Sequence, residues 1–152
     1  MENSHIKKTI QELANTIHGE VQHIRHHIHA NPELSFQEKE TSEFITSILN
    51  KYGIPYTMGW AGYGIVASIE GGQPGKNIGL RGDMDALPIE EKNDVGYKSK
   101  NQGVMHACGH DVHSSCLLGA AIILHQIKDH IKGKIFLLFQ PGEEKLPGGA
   151  SL

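Results

Sequence analysis

Ile135-Phe136-Leu137-Leu138-Phe139 runs straight into Gln140-Pro141-Gly142-Glu143-Glu144. Five apolar residues without alternation predict a central strand covered on both faces. Two adjacent carboxylates just past its end predict a site there, because open α/β sheets bind ligands beyond the carboxyl ends of their strands. This strand therefore decides both the fold class and the place to look for chemistry.

Working back, Gly133 separates the strand from a predicted helix over Val112 to about Lys128, with Asp111 as its cap. Leu117, Ala120, Ala121 and Leu124 line one side of that helix, and Cys116, Ile123 and Ile127 widen the apolar face. Residues 88–104 are polar and irregular, with Lys92-Asn93-Asp94 as a surface turn. Ile54–Met58 is a short candidate strand and Gly64–Glu70 a stronger one. After Gly71-Gly72-Gln73-Pro74-Gly75, the segment Asn77–Arg81 returns as a predicted hairpin partner, and Asp83 and Asp85 fall where it ends.

The first third reads as two helices. Ile6, Ile10, Leu13, Ile17, Val21, Ile24 and Ile28 recur at spacings of four and three, one stripe on a helix of roughly 20–25 residues, ended by Asn31-Pro32. Ser35-Phe36-Gln37-Glu38 has the form of a capping box opening a second helix, which carries Thr41, Phe44, Ile45, Ile48 and Leu49 inward to about Tyr52. Helices and strands in this order make an α/β domain.

The composition is that of a folded globular chain. Of 152 residues 38% are hydrophobic and 20% charged, enough for one domain with a core. The 14 basic and 17 acidic residues are well mixed, which excludes a basic nucleic-acid face. No apolar run approaches the roughly 20 residues a membrane span needs, and no signal-peptide pattern opens the chain. Two cysteines, Cys108 and Cys116, are too few for a disulfide scaffold, so a reducing cytoplasm is the expected location.

Histidine stands out, with 11 copies. In Met105-His106-Ala107-Cys108-Gly109-His110-Asp111, a thiol and an imidazole one residue apart can chelate one transition metal from a tight turn. Gly109 between them permits backbone angles other residues resist. Glu143 and Glu144, adjacent in extended chain, point opposite ways, so one can hold a metal while the other faces water. Asp83 and Asp85 share a face and can hold a metal or orient a ligand histidine; Asp83 can equally pair with Arg81. His23, His26 and His27 have chelating spacing but flank a core stripe beside Arg25, which opposes a cation. His113 stands near the motif, with a hydrogen bond or solvent exposure as the plainer alternative. A nucleophilic Cys108 with His110 as base is the rival chemistry, disfavoured because two residues of one turn seldom reach each other.

Four segments carry a resemblance. His29-Ala30-Asn31-Pro32-Glu33-Leu34-Ser35-Phe36-Gln37-Glu38, Arg81-Gly82-Asp83-Met84-Asp85-Ala86-Leu87-Pro88, the Met105–Asp111 motif and Phe139–Glu144 resemble, in order and spacing, the N-acyl-amino-acid amidohydrolases. That group includes hippurate hydrolases and auxin-conjugate hydrolases, within the aminoacylase–carboxypeptidase superfamily of two-metal hydrolases. The resemblance implies part of a three-layer catalytic domain with a mixed sheet between helices, residues 1–152 being its N-terminal portion. It implies Cys108, His110 and Glu144 as metal ligands, Glu143 as general base, and Asp85 as support for the base or a ligand. Two divalent ions per site, zinc, manganese, cobalt or nickel, and a small N-acyl amino acid substrate follow. Family members are more than twice as long. They place two further histidine ligands and an inserted lid domain, commonly the dimer surface, after the motifs matched here. With three of five ligands, the chain alone is expected to bind metal weakly and hydrolyse poorly, or to act as a non-catalytic fragment or partner subunit.

Overall fold

The computed structural model describes residues 2–152. Two helices, α1 (Glu2–Ala30) and α2 (Lys39–Lys51), precede three strands, β1 (Tyr56–Trp60), β2 (Gly64–Glu70) and β3 (Ile78–Asp83). Helix α3 (His110–Gln126) and strand β4 (Lys134–Gln140) follow. The sheet order is β1-β2-β4-β3. β2 runs antiparallel to both β1 and β4, and β3 runs parallel to β4. The sheet is mixed and the class α/β.

The predicted β2–β3 hairpin does not form, because β4 inserts between the two strands. The glycine-rich link passes over the start of β4 instead. Gly71 N–H donates to Gly133 O (2.9 Å) and Gly72 N–H to Lys128 O (3.0 Å). A Cβ at Gly71 would run into the carbonyls of Ile131 and Gly133, so only glycine allows that approach.

β4 is central, but its burial alternates. Ile135, Leu137 and Phe139 join Ile65, Ala67 and Ile69 of β2 in the core, while Leu138 is 38% exposed. The helices lie against this one face: Ile45 and Leu49 of α2 and Leu117, Leu118 and Ala121 of α3 meet it, with Ile24 and Ile28 of α1 closing the cluster. The expected cover on the second face of β4 is not supplied by these residues. Nor is the whole α1 stripe buried. Ile17, Ile24 and Ile28 are, while Ile10 is 37% exposed.

Two caps differ from expectation. α2 has no side-chain bond from the Ser35–Glu38 segment to its first amides. Glu33 serves them, its carboxylate accepting from Glu40 N–H (3.1 Å) and Thr41 N–H (2.7 Å). The N-cap of α3 is Gly109, at φ 89°, not Asp111, which lies inside the first turn and is fully buried. On the same helix Cys116 is exposed, while Leu118 and Ile122 are fully covered together with the expected Ala121.

What matters for chemistry is the register of the two parallel strands. Asp83 pairs with Gln140, so β3 and β4 end level. Asp83–Asp85 and Gln140–Glu144 thus emerge side by side at the carboxyl edge. The 105–110 loop is tied to the same edge by a Leu87–Met105 bridge, and Ser114 Oγ of α3 donates to Asp83 O (2.7 Å).

Candidate metal centre

His110 opens α3 and is buried. Its Nδ1 lies 2.8 Å from Asp85 O and 3.2 Å from Asp85 Oδ1. Both partners can only accept, so Nδ1 carries the hydrogen and Nε2 is left as the free donor of a lone pair. Around Nε2 stand Asp83 Oδ1 at 3.6 Å, Glu144 Oε1 at 3.7 Å and Glu143 Oε2 at 3.9 Å. None is at hydrogen-bond distance. Burial works against charge on His110, but Asp85 and Asp83 outweigh it and raise its proton affinity. Positive charge, as a proton or a metal ion, is what this point stabilises.

Cys108 is exposed, so it is not a small core residue. Its thiol faces Glu144 and is pushed up to about 11, first by the hydrogen bond to that carboxylate, then by burial and by the charges of Glu144, Glu143 and Asp83. A nucleophilic cysteine needs the opposite shift. A thiolate ligand needs a cation to displace its proton, so any metal affinity at this thiol would rise with pH. Cys108, His110 and Glu144 each offer a ligand atom within 4.8 Å of the others. Thiolate, imidazole and carboxylate at that separation fit a divalent transition metal.

The remaining predicted residues gather at the same edge. Asp83 makes the Arg81 pair that was its plainer alternative, Oδ2 to Arg81 Nη1 (2.8 Å), while its Oδ1 lies 2.6 Å from His113 Nδ1. Asp83, His110 and His113 form a second group with metal-ligand spacing. Glu143 and Glu144 do not point opposite ways. Both reach His110 Nε2, because the chain there is a turn and not extended strand.

Asp85 is the hub. It holds His110 at one oxygen, and at Oδ2 it accepts from Ser35 Oγ (2.7 Å) and Glu144 N–H (2.9 Å). Burial alone would raise its pKa, but the bonds from His110, Glu144 and Ser35 together hold it far below the usual carboxylate range. A depressed carboxylate contributes stability that is present above its unfolded pKa and lost as pH falls below it. Wild-type chain should therefore lose stability on acidification below about pH 4. Asp85→Asn should be less stable near pH 7 and show a flatter decline, as read from urea midpoints across that range; parallel declines would show that the Asp85 bonds contribute nothing net.

The sequence did not show where Asp111 points. It turns away from the site, accepting from Arg25 Nε (2.7 Å) and His29 Nδ1 (2.8 Å), while His29 Nε2 reaches Glu91 (3.1 Å). This buried network pins residues 88–104 to α1. His26 stacks on Tyr97 and His27 on Phe44, both at 3.8 Å, while His23 is exposed, so the three do not converge as a chelating group. His106 is buried, neither ring nitrogen has a partner among the described residues, and burial lowers its pKa to about 4.

Residues 79–152 match the model of peptidase family M20/M25/M40. The chain is 46% identical over 144 residues to an N-acyl-L-amino acid amidohydrolase of Geobacillus stearothermophilus, covering 95% of this chain and 39% of that one. It is 43% identical over 136 residues to a hippurate hydrolase of Campylobacter jejuni, covering 90% of this chain and 35% of that one. The crystal structure of the YXEP protein of Bacillus subtilis, described as a dinuclear metal-binding peptidase of the M20 family, superposes with a TM-score of 0.84 at 38% identity. That match covers 88% of this chain and 38% of YXEP. The chain thus spans well under half the length of these relatives. Among its described residues, no helix is long and apolar enough to cross a membrane.

Proposed function

We propose, for a chain that belongs to peptidase family M20/M25/M40, that it carries the first part of a metal-dependent amidohydrolase centre acting on N-acyl amino acids or related conjugates. The observation that carries this is the meeting of Cys108, His110 and Glu144 at the shared carboxyl edge of β3 and β4, with Glu143 on the same turn.

Cys108, His110 and Glu144 would hold divalent metal. When bound, such ions polarise an amide carbonyl and bring the pKa of attacking water towards ~7. Asp85 acts by position: it fixes the His110 tautomer so that Nε2 faces the site, and it holds Glu144 through the backbone. Glu143, with a 40% exposed side chain, has the access to take a proton from water and pass it to the leaving amine. Water adds, the amide C–N bond breaks, and a carboxylate and a free amine leave without a covalent enzyme intermediate.

Elemental analysis of the purified chain after loading with zinc, manganese or cobalt tests this. Bound ion should be retained through gel filtration more strongly at higher pH, as the thiol proton is displaced. A chain that carries no ion at any pH sinks the proposal. Any hydrolysis of N-acetyl or N-benzoyl amino acids should stop with a chelator. Activity that survives a chelator but not thiol alkylation would point to the cysteine-nucleophile alternative.

A further inference from the structure

The segment Glu33–Glu38 touches the candidate centre without supplying a ligand. Glu38 is fully buried, and its Oε1 accepts from Gly142 N–H at 2.7 Å across 104 positions of sequence. The other oxygen has no partner among the described residues. Its neighbour Phe36 sits at φ 64°, a left-handed conformation that costs a non-glycine residue and persists only where the surroundings enforce it. The Phe36 ring packs on Gly142, which is itself at φ 60°. A Cβ there would fall 2.5 Å from the ring, so even alanine at this position would force the ring aside.

Glu144 N–H is held from the other side by Asp85, at 2.9 Å from Oδ2. Two amides of the turn that presents both glutamates, those of Gly142 and Glu144, are therefore taken up by two buried carboxylates, one just past the end of β3 and one at the start of α2. Ser35 links the two through its bond to Asp85.

We infer that Glu38 is a positioning residue: with Phe36 it clamps the Gly142–Glu144 turn and so sets where Glu143 and Glu144 stand relative to His110. The functional meaning of that clamp rests on the hydrolase reading above, while the clamp itself does not. Burial raises Glu38, and the amides of Gly142 and its own turn only partly offset this. An acceptor oxygen at that place is the requirement, so glutamine satisfies it and alanine does not.

Amide hydrogen exchange by NMR on the 152-residue chain, in wild type, Glu38→Gln and Glu38→Ala, tests the clamp. In wild type the Gly142 amide should be protected like a strand amide. Glu38→Gln should keep that protection within about threefold, and Glu38→Ala should lose about tenfold or more at residues 142–144 while β2 and β4 are unchanged. Unchanged exchange at 142–144 in Glu38→Ala, or a loss spread evenly over α2, α3 and the sheet, would overturn the clamp. If Glu38→Ala does not fold, wild type still decides, since a Gly142 amide exchanging as an open loop contradicts the bond to Glu38. Cobalt absorption on the same wild-type sample separates the two readings. Absence of thiolate-to-cobalt absorption removes the hydrolase reading and leaves the exchange result standing.

Discussion

Cys108→Ala should leave the chain folded and lower its affinity for divalent metal by roughly 100-fold or more, beyond the 10–100-fold typical of losing an outer-shell partner. The fold should survive because Cys108 is exposed and belongs to no part of the core. The affinity should fall because the thiolate is the only sulfur donor in the group, and the His110 and Glu144 atoms left behind are two ligands with no third in the trio. The pH dependence should change too. In wild type the thiol, held up to about 11, must give up a proton for each ion bound. Alanine removes that proton, so the residual weak binding should rise less steeply with pH. Metal content after gel filtration, with cobalt absorption as a direct report on sulfur ligation, reads both effects. A variant that keeps a stoichiometric ion at wild-type affinity would show that Cys108 is not a ligand.

The parts of this molecule legible in its sequence are those in which one local rule decides. The α1 helix, the α2 stop before Gly53 and the Gly64–Glu70 strand each follow from periodicity or a helix breaker and each forms, although only the later part of the α1 stripe is buried. Pairing was not legible. Nothing local in Asn77–Arg81 says that β4 will insert beside it, because that choice is made by packing of α3 against β3 and by the close glycine crossing at 71–75. Caps were misjudged for a related reason. Ser35 and Asp111 have the side chains of capping residues, but each is claimed by a partner distant in sequence, Asp85 for one and the Arg25–His29 pair for the other.

The site shows the same division. Residue types at short spacing marked Cys108, His110 and the two glutamates, and the fold brings them together. The sequence could not give the hydrogen bonds that aim them. That Asp85 binds Nδ1 and leaves Nε2 free depends on the first turn of α3 being seated on the end of β3. In the sequence Glu38 is the end of a capping box and of the His29–Glu38 segment, and its contact with Gly142, 104 positions on, has no local signal.

Glu143→Gln and Glu144→Gln should separate, although the residues are neighbours and both carboxylates stand under 4 Å from the same His110 nitrogen. Glu144 has the less exposed side chain, 21% against 40%, and faces the Cys108 thiol, and its backbone is fixed by Asp85. Its replacement by an amide removes an anionic donor and should weaken metal binding by roughly tenfold to 100-fold. Glu143 completes no ligand trio, so Glu143→Gln should keep its ion. An amide at 143 accepts a hydrogen bond but cannot accept a proton, so hydrolysis measured at saturating metal should fall by on the order of 10²–10⁴. The pair of measurements matters more than either alone. Loss of activity in both variants with metal retained in only one assigns the roles as stated. Equal loss of metal in both would make the two carboxylates joint ligands and leave the base to be found elsewhere. Retained hydrolysis in metal-loaded Glu143→Gln would mean that the water is deprotonated by some other group, of which Asp83, already tied to Arg81 and His113, is the nearest remaining carboxylate to His110 Nε2.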